Sequence, residues 1–139
     1  MRTVYVTRRE HFNAAHKLWN ESWSEEKNYE VFGRCANKNW HGHNYELFVT
    51  VKGQPHPDTG YVVDLKGLST LIRDEVTEKL DHKNLNLDVP FMEGILASTE
   101  NLTFAIWDIL KQPVQEMGCT LHCVKLYETA NNFAEYYGD

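Results

Sequence analysis

The stretch HGHNYELFVTVK at positions 41–52 constrains this chain more than any other. His41, His43, Tyr45, Leu47, Val49 and Val51 share one phase of a period-two pattern. Asn44, Glu46, Thr50 and Lys52 share the other, with Phe48 the exception. Successive side chains of a strand leave opposite faces, so the segment predicts a half-buried strand. Two imidazoles open it on the core-facing side, and Gly42 between them permits close approach of another backbone. A sheet with His-x-His in line with its apolar stripe must either satisfy those rings in the core or give them to a ligand.

The neighbouring segments follow the same logic. Residues 4–16 alternate, with Val4, Val6, Phe12, Ala14 and His16 in one phase. Arg8 and Glu10 interrupt that phase, which predicts exposure or a bulge there. Residues 20–40 are polar and aromatic without a clean period, and a connection of that length is usually functional. GQPHPDTG, from Gly53 to Gly60, is turn chemistry, and Tyr61–Val63 then reads as a short return strand completing a hairpin. Asp64 is a suitable N-cap for a helix carrying Leu65, Leu68, Leu71, Ile72, Val76 and Leu80. A second helix begins near Ser98 or Thr99, carries Leu102, Ala105, Ile106, Ile109 and Leu110, and is expected to stop at Pro113. Thr120–Thr129 and Phe133–Tyr137 return to strand character. Strands and helices are segregated along the chain, which predicts an α+β fold with helices on one face of an antiparallel sheet.

At 139 residues the chain is expected to form one domain, 1–139, large enough for a core without staples. Its 14 Lys and Arg against 20 Asp and Glu argue against nucleic acid as a partner. No apolar run approaches the ~20 residues of a membrane helix, and MRTVYVTRREHF lacks the apolar core of a signal peptide. Three cysteines without zinc-finger spacing suit a reducing, cytoplasmic setting.

His16 lies on the apolar phase of its strand, and His11 on the opposite one. A His-x-His pair with one distant histidine is a ligand set for catalytic zinc, leaving the fourth position open. The plain alternative is a set of rings hydrogen-bonded in the core. Cys35, six positions before His41, can act as a base if its thiol is acidified, or serve as an inert small apolar residue. Asp81-His82, where the first long helix ends, is either a carboxylate–imidazole pair or a helix-terminal cap. Glu128 falls in phase with Val124 and Leu126, so it points inward and needs a partner. Either an Arg or Lys, or a heterocycle with two adjacent N–H donors, would satisfy it.

Five ordered runs then match one family: FNAAH (12–16), FGRCANKNWHGHNY (32–45), LDHKNLNLDVP (80–90), STEN (98–101) and LYETANN (126–132). By these the chain resembles 6-pyruvoyltetrahydropterin synthase and its relatives, including the 6-carboxytetrahydropterin synthases. The resemblance implies a tunnelling fold, a four-stranded antiparallel sheet with two long helices on one face. It also implies a homo-hexamer, a dimer of trimers, with active sites between subunits. By position, His16, His41 and His43 resemble the ligands of Zn2+, Cys35 the general base, and Asp81 and His82 a relay supplied by a neighbouring subunit. Glu128 resembles the pterin anchor, and Ser98, Thr99 and Glu100 the segment beside the same ring. The implied substrate is 7,8-dihydroneopterin triphosphate. Two outcomes share these residues: triphosphate elimination to 6-pyruvoyltetrahydropterin, or side-chain cleavage releasing acetaldehyde. Five residues separate Cys35 from His41, as in the pyruvoyl type, whereas three are typical of the carboxy type. Trp40 departs from the pattern, where a smaller residue is expected. A pterin-binding protein without turnover is the remaining alternative.

Overall fold

The computed structural model describes residues 2–139. Strand β1 (Val4–His16) pairs antiparallel with β2 (His41–Gly53) along its full length, from Val4 opposite Gly53 to His16 opposite His41. Their apolar phases therefore coincide, and Phe12 stacks on Tyr45 with ring centroids 4.8 Å apart. β2 pairs on its other side with β4 (Thr120–Tyr127), and β4 with β5 (Phe133–Tyr136). A two-residue strand β3 (Lys83–Asn84) adds parallel to β1 at Ala14 and Ala15, giving the order β3-β1-β2-β4-β5. The sheet thus has five strands rather than four. The additional one forms because the chain leaving the long helical segment is tied to β1 by His82 N–H to Asn13 O at 2.6 Å and Leu85 N–H to Ala15 O at 2.8 Å.

Helices cover the inward face. α2 (Leu65–Ile72) passes through a π-helical turn (Arg73–Thr77) into α3 (Glu78–Leu80). Along this rod Leu68, Ile72, Val76 and Leu80 are fully buried at four-residue spacing, and Asp64 caps its start. α4 (Thr99–Glu116) buries Leu102, Ile106, Leu110 and Val114 in the same way, and its first turn is capped by the Ser98 hydroxyl. Burying a leucine- or isoleucine-sized side chain contributes about 1.5–3 kcal/mol, so these two stripes fix which face of the sheet is inside.

Several expectations are corrected. Tyr61–Val63 is not a strand: β2 already has partners on both edges, β1 and β4, and the segment closes a loop through His56 N–H to Tyr61 O. Pro113 does not stop α4, which runs to Glu116. A proline this close to the C-terminal end removes only one backbone bond, and burial of Val114 beside Leu110 holds the last turn in place. The long connection contains a helix of its own, α1 (Glu25–Phe32), capped by Ser24. β1 carries no bulge; the irregularity lies in the β2–β4 pairing at Thr50/Val51. Glu10 instead points inward beneath α2, held by Ser69 Oγ at 2.6 Å, Arg8 at 2.9 Å and Arg73 at 3.2 Å. Burial alone would raise its pKa, but those three hydrogen bonds hold it below the ordinary glutamate range.

Candidate metal centre and active site

The continuous β1–β2 register sets His16 opposite His41, and His43 opposite Ala14. All three imidazoles leave the inward face at one end of the strand pair. Their ring centroids form a near-equilateral triangle, 4.5, 4.9 and 4.8 Å on a side. One nitrogen from each ring lies within 4.8 Å of those from the other two.

The nitrogens facing each other are buried and have no hydrogen-bond partner: His16 Nε2, His41 Nδ1 and His43 Nε2. His16 is 1% exposed, and its Nδ1 stands 2.6 Å from the Ala97 carbonyl. A carbonyl only accepts, so this contact places the proton on Nδ1 and leaves the Nε2 lone pair free. Burial lowers the pKa of His16, against the raising effect of that hydrogen bond. Burial and the neighbouring ring lower His41; burial lowers His43 despite the Glu128 carboxylate beside it. Three neutral imidazoles with convergent lone pairs fit a divalent cation of the zinc class, which prefers nitrogen donors. Without one, each orphaned nitrogen carries a desolvation cost of about 1–3 kcal/mol.

Glu128, one residue beyond β4, reaches the same place. Its Oε1 is 3.8 Å from His43 Nε2 and its Oε2 3.9 Å from His16 Nε2. Among the described residues no Arg or Lys pairs with it; the Thr99 hydroxyl donates to Oε2 at 2.6 Å. A cavity of about 580 Å³ opens here, lined by His16, Cys35, Ser98, Thr99, Glu100 and Glu128 among others. Cys35 is brought in by a short 3-10 turn after α1, whose carbonyl at Cys35 accepts from Leu18 N–H at 2.6 Å. Eight of the ten sequence-nominated residues therefore meet in one region: the three histidines, Cys35, Ser98, Thr99, Glu100 and Glu128. The Ser98 hydroxyl is committed to its helix cap.

Asp81 and His82 do not join them within the chain. They follow α3 at the sheet edge, where His82 lines a different cavity, of about 390 Å³, with Asn13, His43, Asn44 and Lys83. Asp81 accepts from Asn13 N–H at 2.8 Å, and its carboxylate stands 3.0 Å from His82 Nδ1. The Asn13 bond is the main reason that the Asp81 pKa is lowered. His82 is exposed and adopts a left-handed backbone, φ 60°.

Two participants escaped sequence reasoning. The Ala97 carbonyl carries no side-chain signal. Tyr45 does: it continues the His41, His43 phase, and its hydroxyl is the fourth buried polar atom without a partner. Of the nearby cations, Lys17 sits over the rings of Trp19 and Trp40, at 5.1 and 4.6 Å, in a separate cavity.

Comparison with known proteins agrees with this geometry. The family model described as 6-pyruvoyl tetrahydropterin synthase matches residues 5–139. The 6-pyruvoyl tetrahydrobiopterin synthase of Homo sapiens is 44% identical over 134 residues, 96% of this chain and 91% of the relative. That of Dictyostelium discoideum is 43% identical over 138 residues, 99% of this chain and 98% of the relative. Among solved structures, 6-pyruvoyl tetrahydropterin synthase of Caenorhabditis elegans superposes with a TM-score of 0.87 at 34% identity, covering 100% of this chain and 98% of that one.

Proposed function

This chain belongs to the 6-pyruvoyl tetrahydropterin synthase family, and we propose that it converts 7,8-dihydroneopterin triphosphate into 6-pyruvoyltetrahydropterin with release of triphosphate. One observation carries the reading. Three buried, unpartnered imidazole nitrogens cluster together, and His16 among them lines one cavity with Cys35 and with Glu128, which has no Arg or Lys partner among the described residues.

In this reading residues 1–139 act as one pterin synthase domain. His16, His41 and His43 hold Zn2+ through His16 Nε2, His41 Nδ1 and His43 Nε2. When bound, zinc supplies a Lewis acid that polarises the hydroxyls of the substrate side chain and acidifies the adjacent C–H. Glu128 receives the N–H edge of the pterin as a bidentate acceptor, steadied by Thr99, and Glu100 flanks the ring. The Cys35 thiolate removes the side-chain proton. His82, oriented by Asp81, returns a proton; it lines a different cavity from Cys35, which is the reason to place this pair across a subunit contact. Loss of triphosphate and internal proton transfers oxidise the side chain while reducing the ring, so no nicotinamide or flavin is needed. This is carbon–oxygen lyase chemistry, in a cytoplasmic homo-hexamer, with its sites completed by neighbouring copies. The open outer edge of β5 supports self-association, because an exposed strand edge is a template for pairing.

The carboxy-type outcome is disfavoured by the five residues between Cys35 and His41 and by relatives 43–45% identical that carry the pyruvoyl name. Product analysis tests the choice. Zinc-loaded protein is incubated with 7,8-dihydroneopterin triphosphate without reductant, and inorganic triphosphate and acetaldehyde are assayed. Triphosphate without acetaldehyde is expected; stoichiometric acetaldehyde would assign the other outcome.

A further inference from the structure

Among the described residues, four buried side-chain atoms lack hydrogen-bond partners, and three of them are the convergent histidine nitrogens. The fourth is Tyr45 Oη, on a residue 1% exposed. Its surroundings are the site itself. The ring lies 5.7 Å from the His43 ring and 6.4 Å from the His16 ring, both edge-on, and stacks on Phe12. The β2–β4 register ends with Glu46 opposite Tyr127, so Tyr45 and Glu128 are the next residues where the pairing stops, and Glu128 Oε1 lies 3.8 Å from Nε2 of the His43 ring that Tyr45 meets edge-on.

The two Glu128 oxygens are unequally served. Oε2 accepts from Thr99 at 2.6 Å, whereas among the described residues no hydrogen bond is made to Oε1. A phenol keeps its proton at neutral pH, its ordinary pKa being about 10, so Tyr45 Oη is a donor in search of an acceptor. The histidine nitrogens cannot serve once they hold a cation. Glu128 Oε1, beside the His43 ring, is then the acceptor left at this end of the strand pair, although Tyr45 Oη makes no hydrogen bond to it in this structure.

We propose that Tyr45 is a positioning residue for Glu128: in the loaded site its hydroxyl donates to Oε1, as Thr99 donates to Oε2, and together they fix the carboxylate plane that receives the pterin edge. The inference rests on the pterin-anchor reading of Glu128 given above. Tyr45 touches neither zinc nor the reacting carbons. Its effect falls on recognition of the ring rather than on proton transfer.

The test is Tyr45→Phe, which removes only the hydroxyl. In metal-free protein the variant should be as stable as the parent or more so, because it deletes a buried, unpaired polar atom. In zinc-loaded protein KM for 7,8-dihydroneopterin triphosphate should rise about fivefold to tenfold while kcat stays within about twofold. The same substitution in a Glu128→Gln background should raise KM less than twofold further, because its target has been altered. A KM within twofold of the parent overturns the proposal. So does a variant whose metal-free stability and kcat fall together, which would mark a packing role. If the parent itself releases no triphosphate, it is the anchor reading that has failed. Affinity of zinc-loaded parent and variant for 7,8-dihydroneopterin alone, by calorimetry, then still reads the Tyr45 effect, and equal affinities would refute it.

Discussion

Replacing Glu10 by Gln tests the account of how β1 is held beneath α2. The substitution keeps the volume and removes the charge. Three hydrogen bonds are at stake: Ser69 at 2.6 Å in a buried position, and Arg8 and Arg73 at 2.9 and 3.2 Å with part-exposed guanidinium groups. Gln keeps one carbonyl oxygen, so the Ser69 and Arg8 bonds to Oε1 lose their charge assistance and Arg73 meets an amide NH2 in place of Oε2; with the arginine contributions discounted for solvent screening, the expected loss is about 2–3 kcal/mol. At about 4 °C per kcal/mol for a chain of this size, Tm falls by about 8–12 °C. The pH dependence has a definite sign. Glu10 is held below the ordinary value of 4.5, so its contribution is fully present above that pH. It is lost as the pH drops through the folded-state pKa, where the native carboxylate takes up a proton. The difference between parent and Glu10→Gln should therefore be constant from pH 6 to 8 and shrink below about pH 4.5. Urea unfolding of metal-loaded protein at a series of pH values measures it. Zinc content should be unaffected, because Glu10 lies six residues from His16 and outside the ligand triangle. A loss under 0.5 kcal/mol at pH 7, or a difference that widens in acid, would refute the reasoning.

Two further predictions concern the site. Chelation of the metal should lower Tm, and zinc restored to about a thousandfold over its Kd should return about 4 kcal/mol of stability; a Tm indifferent to chelator would mean that the three histidines are merely packed. Cys35→Ala should abolish triphosphate release while leaving zinc content and Tm unchanged, as measured by metal analysis and calorimetry, whereas retained turnover would remove Cys35 from its assigned role and a non-catalytic binder would show no turnover in the parent either.

Local pattern alone determined which side chains face inward. His16, His41, His43 and Glu128 were readable because a strand alternates with period two, and the apolar neighbours of each residue declare the buried phase. The two helical stripes and the Asp64 and Ser98 caps were readable for the same reason, since each depends on residues a few positions apart. What joins distant segments was not readable. The Ala97 carbonyl that sets the His16 tautomer is 81 residues away, and a backbone oxygen leaves no mark on the sequence. Ser69 and Arg73, which turn Glu10 from a disruption of the strand into a buried anchor, are 59 and 63 residues away. Tyr61–Val63 has strand-forming residues, yet β2 had no edge left to offer, and only the assembled sheet decides that. The separation of Asp81-His82 from Cys35 is likewise a fact of tertiary structure. Side-chain direction is fixed by the few residues around it, whereas partnership is fixed by which elements compete for the same surface, and that competition is resolved only when the whole chain has packed.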